Sequence, residues 1–348
     1  MTALRTQKSP SARTGRLQAY GWALRILERY ALVLLIVVMI IIFSTNPASA
    51  EVFLSAPNIN SILANQSVTG ILALAMLVTL VAGFFDLSAA AVTGVASVTV
   101  ASFTGARIGD PVLAVTIAIC VGAAIGALTG WLVAKVRLDS FIITLGLYIL
   151  LGGVLVWYTQ GQTLPTSPSF SDISSTKIFG VPSPFILLIV IGILVWLLLQ
   201  HTPFGRRLEA IGSNVNAARL VGINVDRMIW LSFVLGGALA GLAGCLLASR
   251  NGGGDATTGS SYLFPAFAAL FLGATAIRPG RFNVWGTIIG VFFLAIAVSG
   301  LTLIGASTWV QPVFNGASLV VAVILSTFAA RARARRVVRP AETNDQPD

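Results

Sequence analysis

The stretch His201 to Arg227, HTPFGRRLEAIGSNVNAARLVGINVDR, is a polar island between two apolar runs, Phe185–Leu199 and Met228–Ala248. Each flanking run is apolar enough to cross a bilayer, so the island reads as a loop on one membrane face. Within it, residues 214–221 (NVNAARLV) read as a short helix. Ser213 or Asn214 offers an oxygen to the free N–H groups at its start, and Gly222 supplies the left-handed residue that ends it. Val215, Ala218, Leu220 and Val221 are too few for a core, but they suit a small knob that fits a groove on another protein. The plainer alternative is a structured connection with no partner. Four arginines (Arg206, Arg207, Arg219, Arg227) against Glu209 and Asp226 put the loop on the cytoplasmic side.

Outward from this loop the chain repeats the same alternation. Of its 348 residues 56 % are hydrophobic and 10 % charged, with a mean hydropathy of +0.89. That apolar surplus excludes a soluble domain and defines a polytopic membrane protein. Runs rich in Gly, Ala, Leu and Val, without a ten-residue alternating pattern, make it all-α rather than a β-barrel. About ten transmembrane helices are expected, over 29–46, 61–82, 88–105, 111–134, 139–158, 184–200, 228–248, 262–277, 284–303 and 310–329. An even number returns both termini to one side, and the tail arginines (Arg331, Arg333, Arg335, Arg336, Arg339) make that side the cytoplasm. The chain then divides into a basic, initially disordered segment 1–28, a transmembrane domain 29–329 with its loop 201–227, and a basic tail 330–348. Ala48-Ser49-Ala50 resembles a signal-peptidase site but follows a long hydrophobic segment, which favours an uncleaved first span.

The net charge of +10 does not point to nucleic acid. If the spans alternate, 19 of the 22 Lys and Arg fall on one side and only Arg107, Lys177 and Arg250 on the other. This is the positive-inside bias, with attraction to anionic lipid as a by-product. Two segments reach the opposite side: Tyr158–Pro182, rich in Pro, Ser and Thr, and Arg250–Ser261, rich in Gly and Thr. Gly122, Gly126 and Gly130, and likewise Gly237 and Gly241, recur every fourth residue and predict close backbone packing between helices. A faint internal echo joins Ala82–Ser88 to Gly273–Gly280, each breaking an apolar run with glycine and a polar group.

The chain holds few residues able to do chemistry. None of its lysines (Lys8, Lys135, Lys177) follows a glycine, so it has no P-loop of its own. His201 is the sole histidine and sits where a span ends; Cys120 and Cys245 lie inside apolar runs as packing residues. No metal site, cofactor or hydrolytic triad is expected from this material. Asp86 is the one acid closely flanked by apolar sequence; capping the helix that begins at Leu87 or Ser88 is the stronger reading, direct work on a solute or proton the weaker. Asn65, Gln66 and Thr69 open the second span and are candidates for a polar pathway, while Asn60 and Ser61 read as that helix's caps.

Several segments together resemble the permeases of ribose/sugar-type ATP-binding-cassette importers, in the branched-chain amino acid/ribose permease superfamily. In the loop these are Thr202-Pro203-Phe204-Gly205-Arg206, Ala210-Ile211-Gly212-Ser213-Asn214 and Arg219-Leu220-Val221-Gly222-Ile223-Asn224-Val225. Outside it they are Phe85-Asp86-Leu87-Ser88, Val133-Ala134-Lys135 with Phe141–Gly146, and Gly280–Thr287 with Gly300-Leu301-Thr302 and Gly305. The likeness covers roughly residues 55–330. It implies a sugar-translocating inner-membrane permease that is not itself an enzyme. Its implied partners are a second permease copy or paralogue, cytoplasmic ABC ATPase subunits that hydrolyse ATP on a separate chain, and an extracytoplasmic substrate-binding protein. It further implies that Gly205, Arg206, Gly212, Asn214, Asn216, Ala217, Ala218, Arg219 and Gly222 couple to the ATPase. Asn216-Ala217-Ala218 with Gly222 keeps the spacing of the family's docking loop, but Asn216 stands where an acid is common; Ala274 and Pro279 likewise replace glycines. The alternative from another class is an ion-coupled secondary transporter that works without an ATPase.

Overall fold

The computed structural model describes residues 30–105 and 110–337, with side chains as far as 328. The N-terminal segment 1–28, Arg107 and the end of the tail lie outside the described residues, as do the side chains of the tail arginines.

The chain opens with α1 (Tyr30–Thr45) and the short α2 (Ala50–Phe53). Ser55 and Pro57 then start α3 (Ala56–Val81), followed by α4 (Ser88–Gly105). Asp110 and Asp139 cap α5 (Pro111–Ala134) and α6 (Ser140–Thr159), each accepting a backbone N–H at 3.0 Å, from Val112 and Ile142 respectively. Next come β1 (Leu164–Pro165), α7 (Pro168–Ser175), the hairpin β2 (Lys177–Ile178) and β3 (Val181–Pro182), and α8 (Ser183–His201). The central loop folds into α9 (Pro203–Ser213) and α10 (Val215–Leu220). It leads into α11 (Val225–Asn251), β4 (Gly253–Gly254), α12 (Thr258–Ser261), α13 (Leu263–Gly273), α14 (Val284–Leu303) and α15 (Val310–Val337).

Eight of these helices are long and apolar enough to cross a membrane, and they coincide with eight of the expected spans. The other two expected spans are α1 and the run Thr258–Gly273, both apolar but shorter. At 1.5 Å per residue the second covers only about 24 Å, less than the hydrocarbon thickness of about 30 Å. It ends at Gly273 rather than near 277 because the chain turns back there: Gly280 N–H donates to the Ala274 carbonyl at 2.9 Å, and Gly280 takes φ +79°. Asn283 holds this turn, donating from Nδ2 to the carbonyls of Gly273 and Ala276, while its Oδ1 caps α14 at the Gly286 N–H (2.7 Å). Asn60 and Ser61 are helix interior rather than caps, because Ser55 with Pro57 starts α3 more than a turn earlier.

Three helices carry the core. The apolar stretch of α3 is 78 % buried, that of α4 72 % and that of α11 67 %, against 11 % for α6 and 6 % for α15, which therefore border lipid or another chain. Lipid gives apolar helices no reason to associate, so close packing depends on small residues. The glycine repeats serve this: a Cβ on Gly126 would enter the Phe233 carbonyl, and one on Gly241 would sit 3.0 Å from the Ala118 carbonyl. The Thr93 hydroxyl has two carbonyls in reach of its one proton, Ala89 of its own helix (3.0 Å) and Ala240 of α11 (3.2 Å), so a polar group deep in α4 is satisfied. Cys245 is buried, whereas Cys120 is exposed on α5.

The connections sort to two ends of the bundle. At one, α9 meets the turn after α3, Glu209 pairs with Arg281 at 3.3 Å, and Phe85 meets Phe141. At the other, β1 pairs antiparallel with β4 (Leu164 opposite Gly254), and Ser249 of α11 accepts from the Ser174 N–H of α7 at 3.2 Å. The long loop between residues 158 and 182 is thus a small folded cap on that end.

Candidate functional site

At the α9 end, two glycines let the central loop lie against the bundle. A Cβ on Gly205 would enter the Leu199 carbonyl, so the α8–α9 corner closes only around glycine; a Cβ on Gly212 would enter the carbonyl of Val81 at the end of α3. Leu208 and Ile211 are buried beneath α9, and Phe204 packs beside them. The signal for α9 was Pro203 at a helix start, with Phe204, Leu208 and Ile211 spaced to share one face. The sequence reading placed a single helix in this stretch.

The second helix forms as expected, within a residue at each end. Asn214 Oδ1 accepts from the Ala217 N–H at 3.0 Å, and Gly222 follows the helix with φ +81°. Arg219 pairs with Asp226 at 3.3 Å, tying α10 to the start of α11. The expected four-residue apolar knob divides in two. Ala218 is buried and Val215 half-buried against the bundle, while Leu220 and Val221 stand 88 % and 75 % exposed. Arg206, Asn216, Ala217 and Arg219 are exposed around them.

Asp86 and Ser88 belong to the turn between α3 and α4. Asp86 is 3 % exposed; the Ser88 hydroxyl donates to its Oδ1 at 2.5 Å, and the N–H groups of Ser88 and Ala89 also bond to the carboxylate. All three of these donors belong to the first residues of α4, which is the geometry of a helix cap.

The opposite end holds a cavity of about 900 Å³ between α3, α12–α13, α14 and α15. Asn65, Gln66 and Thr69 line it together, joined by Ser261 and Tyr262 from α12 and its junction with α13, and by Gln311 and Asn315 from α15. Among the described residues none that lines it carries a formal charge; amides and hydroxyls alternate with Phe264, Pro265, Leu294 and Val298. Arg250 donates to Asn65 Oδ1, while Asn65 Nδ2 donates to Ser61 Oγ at 3.1 Å, so the amide is held on both sides. Gln311 and Asn315 went unnoticed in the sequence, though two amides four residues apart on an apolar helix mark one polar face. Close by, the Asp255 carboxylate starts α12. Burial would raise its pKa, but hydrogen bonds from Thr258 and Thr257 outweigh that and hold it below the ordinary 3.8.

A membrane-crossing helix bundle with an uncharged polar cavity at one end and an exposed stub helix at the other is the architecture of a solute permease. The chain belongs to the family described as branched-chain amino acid transport system/permease component, which matches residues 58–323. It is 33 % identical over 305 residues to the ribose import permease protein RbsC of Escherichia coli K12, covering 86 % of this chain and 94 % of that one. It is 35 % identical over 294 residues to the RbsC of Bacillus subtilis 168 (84 % and 90 %), and 28 % identical over 368 residues to the E. coli K12 xylose transport system permease protein XylH (88 % and 93 %). No solved structure matches the chain. Family membership and the apolar helices make it a multi-pass protein of the bacterial cytoplasmic membrane.

Proposed function

We propose that this chain is the membrane subunit of an ATP-driven importer and moves a neutral, ribose-like sugar handed to it by an extracytoplasmic binding protein. The observation that carries the reading is α10: a stub helix whose apolar end, Leu220 and Val221, is turned away from its own protein. A chain without a P-loop needs its nucleotide engine elsewhere, and this exposed end suits the groove of a cytoplasmic ATPase. Coupling then passes from Asn214–Gly222 into α9, where Gly205 and Gly212 give backbone contact with α8 and α3. ATPase closure would rock these elements and alternate the cavity between outward and inward access. Asn216 in place of an acid leaves this docking helix without a carboxylate for an ATPase arginine.

The orientation follows from charge. Lys135, Arg137, Arg206, Arg207, Arg219, Arg227, Arg278 and Arg281 lie at the α9 end, and only Lys177 and Arg250 among the described basic residues lie at the other. By the positive-inside rule the α9 end would be the cytoplasmic one. The cavity then faces outward, where a binding protein would deliver solute, and its uncharged amide and hydroxyl lining suits a sugar. The ribose and xylose names of the relatives support that class. The thinly buried α6 and α15 leave room for a second permease copy or paralogue.

The test is reconstitution. In proteoliposomes, the permease, ATPase subunits and loaded binding protein should take up labelled ribose only with ATP and all components present. Uptake by the permease alone, driven by a proton or sodium gradient, would refute the proposal in favour of a secondary carrier.

A further inference from the structure

Five phenylalanine rings meet between the cavity and the α9 end. Phe85, in the turn between α3 and α4, lies 6.4 Å edge-on from Phe141 at the start of α6, and 6.2 and 6.4 Å from Phe267 and Phe271 of α13. Phe271 in turn meets Phe282 at 5.5 Å. These separations fall in the attractive range for aromatic pairs. Phe264, Phe267 and Phe271 are spaced three and four apart, so they form one stripe about 10 Å long down α13. The upper end of the stripe, Phe264, lines the cavity; its lower two rings are covered by Phe85.

Two further features mark this cluster. Phe267 is buried in the core at 7 % exposure, while Phe85, Phe141 and Phe264 around it stay 36 %, 49 % and 62 % exposed, so the cluster is seated on the core and open along one side. The turn that carries Phe85 is also the one α9 rests on. Gly212 backs onto the Val81 carbonyl, and a Cβ on Gly83 (φ +88°) would lie 3.7 Å from the Gly212 Cα. A displacement of α9 therefore reaches the Phe85 ring through two residues of backbone.

We propose that Phe85, closed against Phe267 and Phe271 with Phe141 beside them, is the inner gate of the solute pathway, and that α9 opens it through the Gly83–Gly212 contact. The proposal rests on the transport reading above. Sugar hydroxyls and their water do not pass an aromatic constriction, because neither finds a hydrogen-bond partner there. Parting the rings would join the cavity to the α9 end.

The test uses the permease assembled with its ATPase subunits in vesicles loaded with radiolabelled ribose, followed for efflux without ATP. Phe85→Ala should release ribose on the order of tenfold faster than wild type, equivalent to losing about 1.4 kcal/mol of barrier. Phe85→Leu, which keeps an apolar plug, should fall between them. ATP hydrolysis should be unchanged in both, a split that loss of packing alone would not give. Phe271→Ala opens the same constriction from α13 and carries the test if Phe85→Ala is not recovered in the membrane. Vesicles of these alanine variants as tight as wild type, in preparations whose wild type takes up ribose with ATP, overturn the gate. Failure of wild-type ATP-driven uptake would instead overturn the transport reading beneath it.

Discussion

Truncating both exposed apolar residues of the stub helix, Leu220→Ala with Val221→Ala, should uncouple the permease from its engine without harming its fold. The two side chains are 88 % and 75 % exposed, so docking into an apolar groove is what removes them from water. Leu→Ala deletes three carbons and Val→Ala two. At about 0.8 kcal/mol per buried methylene, weighted by the exposed fractions, the pair loses about 3 kcal/mol of docking energy, on the order of a 10²-fold rise in Kd. Neither side chain is packed in the bundle, so the thermal midpoint should barely move, as for surface substitutions within about 0.5 kcal/mol. Titrating purified ATPase subunit against nanodisc-embedded permease by interferometry, with a melt of the same sample, reads both quantities. An unchanged Kd would refute the reasoning, and so would a large fall in the melt, which would make Leu220 and Val221 structural. As a control, Arg219→Ala breaks only an exposed ion pair with Asp226 and should cost no more than about 1 kcal/mol.

Three other outcomes are expected. Asn65→Leu and Gln66→Leu put apolar groups into the cavity wall and should lower ribose uptake severalfold while ATPase activity stimulated by the binding protein persists; unaltered uptake would remove the cavity from the pathway. Asp86→Asn retains an acceptor for the start of α4 and should keep transport, whereas Asp86→Ala should lose about 1 kcal/mol of stability, the usual worth of a cap; abolished transport in Asp86→Asn would favour an ion-coupled carrier. Asp255 has a lowered pKa, so its contribution to stability is complete above its unfolded value, about 3.9, and is lost as pH falls through the folded one. The difference in melting temperature between wild type and Asp255→Asn should therefore be constant above about pH 5 and close at lower pH; a difference independent of pH throughout would contradict this.

Much of the fold is legible in the sequence because lipid imposes a simple rule: long apolar runs must be helices, and the charges between them sort by side. Close packing at α5 and at α11 is legible for the same reason, since glycines every fourth residue have few other uses in a membrane helix, but that the two helices pack on each other appears only in the structure. The short run ending at Gly273 was less so, because its end depends on Asn283, ten residues on, folding the chain back. In the central loop, capping chemistry at Asn214 and Gly222 placed α10, but α9 was hidden by its glycines and arginines. Its helicity depends on burying Leu208 and Ile211 against helices distant in sequence. Asn65, Gln66 and Thr69 announced the cavity by being polar in an apolar run, yet which residues face them was not readable. Gln311 and Asn315 lie almost 250 residues away along the chain. The phenylalanine cluster carried no local signal, since Phe85 meets its partners only once four segments are assembled.

The central claim, that force enters through the α10 end of the bundle from the cytoplasm, is tested most directly by thiol accessibility. With Cys120 and Cys245 replaced by serine, Leu220→Cys should react with a membrane-impermeant maleimide in inside-out vesicles, and bound ATPase should protect it. In intact cells it should stay unlabelled. Labelling from the outside of intact cells, or equal labelling with and without the ATPase, would contradict the account.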